Sequence, residues 1–232
     1  MKEVTIFCDG SAIGNPGQGG WGVVIQYENE KSIEEIGGFV EHTTNNRMEL
    51  TAAIEALQKI PKNSKVTVKT DSQYVIQGST KWVFGWERNG WQTSQKTEVL
   101  NKDLWEEISK ASRKHTVTWE HVRAHVGVTL NERVDMIANG FARKEKVKLF
   151  KGEKDAYTEF LKEMPKARVV SKSASKSKKT GPAYSYVSFV DGKVKTTKTW
   201  AECEKLVKGK SAKYKKVFSK EAEATLIEEW KK

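Results

Sequence analysis

Two aspartates stand directly after apolar, β-branched stretches of the chain. Asp9 follows the run Val-Thr-Ile-Phe-Cys, and Asp71 follows the run Val-Thr-Val-Lys-Thr. Such runs predict strands, and ligands of α/β sheets bind where the carboxyl ends of parallel strands meet. Carboxylates that converge at one edge repel one another, so the site they form would bind cations. Alternatively, each aspartate could simply cap the turn or helix that follows it.

Two further acids stand close to apolar helix faces. The spacing predicts a helix over 46–59, and Glu49 falls in the middle of its apolar arc. A carboxylate there is costly unless it pairs with a neighbour such as Arg47 or a lysine, or binds a cation. Asp135 lies near the apolar face of a second helix, which Asn131 would start and which would run to about residue 146.

His125 follows a predicted strand over 115–122 and precedes the helix that carries Asp135. This loop position would let the imidazole move and transfer a proton. Taken alone, a histidine in a loop more often has no catalytic role.

A glycine-rich stretch over 11–20 follows the first predicted strand, which covers 2–9. We predict a loop there, whose backbone N–H groups could approach a phosphate or a sugar. The stretch has neither the Walker pattern nor a GxGxxG motif that opens a helix, which argues against a nucleotide cofactor.

Aromatic and basic residues alternate over 80–95. Trp82 and Trp86, with their basic neighbours, suit stacking on bases or sugars beside phosphate contacts. The alternative is a small satellite core that joins two helices.

The positive charge is concentrated in the last third of the chain. Residues 1–150 hold 20 Lys and Arg against 19 Asp and Glu, whereas residues 151–232 hold 21 against 11. This asymmetry predicts a polyanion-binding appendage on a nearly neutral body, with a lysine-rich solubility tail as the alternative.

The order of predicted elements indicates an α/β protein with a small second module. We predict a catalytic domain over 1–150, a partly helical segment and Ser/Lys-rich linker over 151–182, and an α+β module over 183–232. The main predicted elements are a hairpin over 21–28 and 33–40, a strand over 65–70, a helix over 100–112, strands over 184–190 and 193–197 and helices over 200–207 and 219–230.

Composition and the cysteine count bear on the cellular location of the protein. The two cysteines are far apart, which argues against a disulfide framework, and neither a signal peptide nor a transmembrane run is evident. We expect a cytoplasmic monomer with no membrane partner.

Residues 1–146 resemble type 1 ribonuclease H, which cuts the RNA strand of RNA–DNA hybrids. Five stretches, in order, carry the resemblance: FCDGSAIGNPGQGGWG, TTNNRMELTAAIEAL, KTDSQYVIQG, WERNGWQTS and HVRAHVGVTLNERVDMIAN. The resemblance implies a five-stranded mixed sheet flanked by helices. It also implies an acidic tetrad at Asp9, Glu49, Asp71 and Asp135, with a mobile histidine at His125.

The chemistry implied by this tetrad is metal-dependent hydrolysis. Four carboxylates without a Cys or His cluster favour Mg²⁺, with Mn²⁺ as the alternative ion. Two such ions support in-line hydrolysis of a phosphodiester, and the family resemblance implies 5′-phosphate and 3′-hydroxyl products. By resemblance, the residues that would contact nucleic acid are Gly10, Ser11, Asn15, Thr44, Asn45, Asn46, Gln73, Trp82 and Trp86.

Residues 184–227 resemble a small hybrid-binding, viroplasmin-like domain. The shared residues include Trp200, Cys203 and the run Ala-Lys-Tyr-Lys-Lys that contains Tyr214, Lys215 and Lys216. The resemblance implies that the module binds hybrid duplex, with double-stranded RNA as a further candidate ligand. Two other functions stay open: a non-cleaving duplex-binding protein, and a resolvase or transposase core on the same fold.

Overall fold

The computed structural model describes residues 1–122, 129–163, 183–208 and 212–231. The chain forms two compact units, Met1–Ala167 and Arg168–Lys232. Within the described ranges, no helix has the length and apolar character needed to cross a bilayer.

The first unit is built on a six-stranded mixed sheet with the order β5-β4-β1-β2-β3-β6. β1 pairs parallel with β4 and β4 with β5, whereas β2, β3 and β6 continue the sheet in antiparallel pairs. The strands are β1 (Glu3–Gly14), β2 (Gly17–Tyr27), β3 (Ser32–Thr43), β4 (Lys65–Thr70), β5 (Thr116–His121) and β6 (Lys151–Glu153).

Helices flank this sheet as predicted. α2 and α3 are joined by a π-helical turn over Gly78–Trp82. The described helices of the unit are α1 (Asn45–Lys59), α2 (Gln73–Gln77), α3 (Val83–Arg88), α4 (Lys102–Ser112), α5 (Thr129–Ala142) and α6 (Lys154–Glu163).

The glycine-rich stretch over 11–20 is a β-hairpin, so the prediction of a loop there is wrong. β1 continues five residues beyond Asp9, and its ladder with β2 runs to the pair Gly14 and Gly17. The sequence did not predict these strands because the glycine-rich stretch lacks the alternation of apolar residues that is typical of a strand. Asp9 therefore lies inside a strand rather than at its end.

The sheet has one strand more than the five predicted. β6 pairs with the start of β3, and Tyr157 and Phe160 of α6 are buried in the apolar cluster on one sheet face. The predicted domain boundary at residue 150 falls inside this unit for that reason. The opposite face is covered by α1 and α4, which pack Leu50, Leu57 and Trp105 against the alternate residues of the strands.

The second unit is a three-stranded antiparallel sheet with two helices, in the order ββαβα. Asp191 and Gly192 form the hairpin turn between the two predicted strands, with φ values of 52° and 74°. The described elements are β7 (Ser185–Val190), β8 (Lys193–Thr197), α7 (Trp200–Val207), β9 (Ala212–Val217) and α8 (Lys220–Lys231). The predicted linker over 171–182 lies outside the described residues.

Candidate active site

The register of β1 and β4 brings Asp9 and Asp71 to the same level of the sheet. Phe7 lies opposite Lys69 in this parallel pair, and each aspartate comes two residues later along the chain. Asp71 does not cap α2, because the cap is Ser72, whose side chain accepts from the Val75 N–H. The capping alternative is therefore wrong for Asp71.

Asp9 is buried among the other three predicted acids. Only 8% of the residue is exposed, and its Oδ1 accepts a hydrogen bond of 2.7 Å from the Gly10 N–H. Burial raises the Asp9 pKa well above its usual range, and the nearby charges of Asp71, Asp135 and Glu49 raise it further. The structure therefore brings the four acids into one electrostatic cluster.

Two glycines allow helices to approach Asp9 closely from both faces of the sheet. A Cβ on Gly10 would lie 2.2 Å from the Glu49 backbone nitrogen, and a Cβ on Gly22 would lie 2.7 Å from the Val134 carbonyl oxygen. Gly22 is also the ladder partner of Asp9. The missing side chains bring α1, with Glu49, and α5, with Asp135, next to Asp9.

Glu49 accepts hydrogen bonds from side chains of α1 and of the cap of α2. Asn45 Nδ2 donates to Oε1 over 2.7 Å, and Ser72 Oγ donates to Oε2 over 2.5 Å. Arg47, the alternative partner considered from sequence, pairs with Asp103 instead, through two hydrogen bonds of 2.9 and 2.6 Å. The carboxylate of Glu49 is therefore oriented without being neutralised by Arg47.

Asp135 lies on α5, and its turn of the helix is connected to the first strand. Asn139 Nδ2 donates to the Asp135 carbonyl oxygen over 2.9 Å, and Ser11 Oγ donates to Asn139 Oδ1 over 2.8 Å. These contacts tie the helix that carries Asp135 to β1, two residues beyond Asp9.

Several predicted nucleic-acid contacts lie beside the acids. Asn15, at the hairpin tip, accepts from the Asn45 backbone N–H over 3.2 Å, and Thr44 caps α1 by accepting from the Arg47 N–H. Asn46 follows in the first turn of α1, and Gln73 is exposed at the start of α2. His125 lies outside the described residues.

The oxygen-rich donor set suits a hard cation. Cys8 is adjacent but supplies no thiolate, because burial and the charge of Asp9 raise its pKa. In the part of the chain that the structure describes, no three His, Cys, Asp or Glu side chains form a ready-made metal site. The four carboxylates supply the oxygen donors that Mg²⁺ prefers.

Comparisons with known proteins agree with this geometry. The RNase H family model matches residues 1–143. The chain belongs to the RNase H family.

Curated relatives of this ribonuclease H include a ribonuclease H from Pelobacter propionicus, 51% identical over 137 residues, which cover 59% of this chain and 83% of the relative. A ribonuclease HI from Xylella fastidiosa is 49% identical over 142 residues, or 61% of this chain and 93% of the relative. Family membership implies endonucleolytic cleavage of RNA in RNA–DNA hybrids.

Among solved structures, this ribonuclease H resembles LC9-RNase H1, described as a type 1 RNase H with the type 2 active-site motif. The sequence identity is 29% and the TM-score is 0.59, with 68% of this chain and 81% of that chain covered. The family match ends at residue 143, so the viroplasmin-like assignment of the second unit remains a prediction.

The tryptophans of the predicted nucleic-acid handle belong to an aromatic cluster of the ribonuclease H unit. Trp82 and Trp86 have ring centroids 5.7 Å apart, and Trp86 lies 5.5 Å from the fully buried Trp105. Both remain partly exposed. The packing favours the satellite-core alternative for Trp86, while Phe84, 56% exposed, is the most accessible aromatic residue of α3.

In the second unit, two of the predicted binding residues form an exposed aromatic pair. The rings of Trp200 and Tyr214 lie 5.3 Å apart, and each is at least 40% exposed. Lys215 and Lys216 are exposed on β9, and because side chains alternate along a strand, Lys216 shares the sheet face of Tyr214 whereas Lys215 lies on the opposite face. This arrangement joins two accessible aromatic rings to a basic strand.

Sequence reasoning missed the side chains that support the acids. Ser72 contacts Glu49, and Asn139 contacts the backbone of Asp135. The spacing of four residues between Asn45 and Glu49, which places side chains on one helix face, could have revealed that contact.

Proposed function

We propose that this ribonuclease H hydrolyses the RNA strand of RNA–DNA hybrids by a two-metal-ion mechanism. The products are a 5′-phosphate and a 3′-hydroxyl end. The observation that carries the proposal is the burial of Asp9 among three other carboxylates.

Such a cluster is unfavourable in the free protein. Burial penalises the charged form of Asp9, and three like charges add to the penalty. A structural ion pair would relieve this repulsion, but Arg47 is directed to Asp103. Divalent cations bound by the four carboxylates would relieve it, and they would supply the positive charge that a phosphodiester reaction requires.

Asp9, Glu49, Asp71 and Asp135 would hold two Mg²⁺ ions, with Mn²⁺ as the alternative. When bound, such ions activate the attacking water and stabilise the leaving oxygen of an in-line displacement. Asn45 and Ser72 keep the Glu49 carboxylate oriented. The Asp9 carboxylate is fixed by the Gly10 N–H, so the donor atoms need little reorganisation.

His125 is assigned to proton transfer and product release rather than to metal binding. Along the chain, His125 lies between β5 and α5. This position supports the role because both elements border the acids. An imidazole titrates near neutral pH and can accept and return a proton during one turnover.

Selectivity for RNA requires contacts to 2′-hydroxyl groups. Polar groups suited to this task cluster around the Asn15–Asn45 contact and the start of α2. Their proximity to Glu49 supports a position beside the scissile strand. The proposed contact residues are Gly10, Ser11, Asn15, Thr44, Asn45, Asn46 and Gln73, with Trp82 and Trp86 on the aromatic cluster.

We assign the second unit to hybrid binding, with double-stranded RNA as a further candidate. Trp200 and Tyr214 would stack on sugars or bases, while Lys215 and Lys216 contact phosphates. The excess positive charge beyond residue 150 supports this assignment. We further propose that the protein acts as a cytoplasmic monomer.

The test compares RNA–DNA, RNA–RNA and DNA–DNA duplexes with Mg²⁺ and with a chelator. Cleavage of the hybrid alone, only with metal, is expected, and end-labelling should identify 5′-phosphate and 3′-hydroxyl products. Asp71→Asn should abolish cleavage, whereas Glu107→Gln, an exposed acid on α4, should not. Normal turnover by Asp71→Asn would contradict the metal assignment, and binding without cleavage would identify a non-catalytic hybrid-binding protein.

A further inference from the structure

A second buried acid lies in the first unit, away from the acidic cluster. Glu35 of β3 is 3% exposed and pairs with Arg133 of α5, which is 4% exposed. Arg133 Nε donates to Glu35 Oε1, and Nη2 donates to Oε2, each over 2.7 Å. The pair therefore connects the sheet directly to the helix that carries Asp135.

The segment after the family match completes this cluster. Tyr157 of α6 donates its hydroxyl to Glu35 Oε1 over 2.6 Å, and the Phe150 N–H donates to Oε2 over 2.9 Å. Arg133 Nη2 also donates to the Lys148 carbonyl oxygen over 2.7 Å. Three contacts thus come from residues beyond position 143, where the family match ends.

The stability of a buried ion pair such as Glu35–Arg133 is sensitive to the loss of either partner. Buried charges are tolerated when the geometry is good and further hydrogen bonds satisfy them, and removal of one partner leaves an uncompensated charge. Aromatic packing adds to the constraint, because the Arg133 guanidinium lies 5.4 Å from the centre of the Phe160 ring. The position of Arg133 is therefore narrowly defined.

Arg133 and Asp135 are two residues apart on α5, so their side chains leave the helix in nearly opposite directions. Arg133 is fixed among β3, α6 and the segment between α5 and β6. On the sheet side, Gly22 allows the α5 backbone to approach the ladder partner of Asp9. A rotation of α5 about its axis would disturb both contacts.

We propose that Glu35, Arg133 and Tyr157 form a positioning cluster that sets the rotation of α5 and thereby directs Asp135 toward Asp9. The cluster acts through Asp135 and does not itself contact substrate. The inference rests on the proposed function, since it assumes that Asp135 is one of the metal-binding acids.

The experiment uses the full chain and measures Mn²⁺ binding by calorimetry, well below the melting temperature of each variant. Residues that orient a ligand typically change metal affinity by about 10- to 100-fold when they are mutated. We expect weakening of about that size for Glu35→Gln and a smaller loss for Tyr157→Phe, which keeps the ion pair. Excess Mn²⁺ should restore cleavage by both variants but not by Asp135→Asn.

The matched control is Lys144→Gln. Lys144, just after α5, forms an exposed ion pair of 2.9 Å with Glu41 of β3, so it joins the same two elements at the surface. Its loss should leave Mn²⁺ affinity and cleavage unchanged.

The outcomes are distinguishable. Parental Mn²⁺ affinity in a folded Glu35→Gln protein, or in Tyr157→Phe if Glu35→Gln does not fold, would overturn the positioning role. Failure of the parent protein itself to bind Mn²⁺ would instead refute the proposed metal mechanism. Equal weakening in Lys144→Gln would show a general loss of stability and would also overturn the inference.

Discussion

The Ser72 hydroxyl donates to Glu49 Oε2 over 2.5 Å while its oxygen accepts from the Val75 N–H over 3.2 Å. One side chain thus caps α2 and orients an acid on α1. Because Ser72 directly follows Asp71, it also connects two members of the acidic cluster.

Replacing Ser72 by alanine should lower both stability and turnover. Loss of a helix cap costs about 1 kcal/mol, and Glu49 would lose one of its two orienting hydrogen bonds. We expect a fall in kcat of about 10-fold or more, measured with thermal unfolding on the same samples. Ser72→Thr, which keeps the hydroxyl, should recover most of both properties. Full activity of Ser72→Ala would show that Glu49 does not need this contact.

Asp9→Asn should abolish cleavage and stabilise the metal-free protein at neutral pH. Burial and the neighbouring acids raise the Asp9 pKa, so the ionised group opposes folding. The melting temperature should rise by ~2–4 °C for each kcal/mol recovered. The control is Glu107→Gln on the exposed face of α4, which should leave the melting temperature unchanged.

This effect has a defined dependence on pH. Between the unfolded-state pKa of about 3.9 and the raised folded-state pKa, the folded protein holds a proton that the unfolded chain has lost. The contribution of Asp9 to the free energy of unfolding therefore falls as pH rises through this window. Below the window Asp9 is protonated in both states, so the difference in stability between Asp9→Asn and the parent protein should vanish. An advantage of the same size at all pH values would contradict the raised pKa.

His125→Ala should slow cleavage without stopping it. General acid–base assistance contributes about 10²–10⁴-fold, and the four carboxylates would still bind metal. Single-turnover rates and Mn²⁺ affinity should be measured together. Complete inactivity with weakened Mn²⁺ binding would make His125 a ligand, contrary to its assigned role.

Deletion of residues 171–232 should weaken hybrid binding while leaving the chemical step intact. Lysines that contact phosphates release counterions, so the slope of affinity against salt should become less steep. Trp200→Ala should reproduce part of the loss, since a stacking contact contributes roughly 1–3 kcal/mol. Trp200→Phe, which keeps a ring beside Tyr214, is the matched control. Identical affinities and slopes for the full chain, the deletion and Trp200→Ala would remove the second unit from nucleic-acid binding.

The sequence alone was enough to predict the α/β class, the order of most elements and the candidate acids. These features have local signatures: β-branched runs before Asp9 and Asp71, and an acid at Glu49 within an apolar helical arc. The hairpin over 11–20 escaped prediction because its glycines serve contacts with distant helices. A Cβ at Gly20 would lie 2.3 Å from the Ala138 carbonyl oxygen of α5, a contact that is not visible in the hairpin's own residues.

The tertiary structure decided which partners the charged groups take. Arg47 lies two residues from Glu49 but pairs with Asp103, and Glu35 meets Arg133 across 98 positions of the chain. The burial of the Glu35–Arg133 pair arises only when β3, α5 and α6 pack together, so no local pattern in the sequence predicts it. The candidate acids could therefore be predicted from the sequence, whereas the contacts that orient them required the fold.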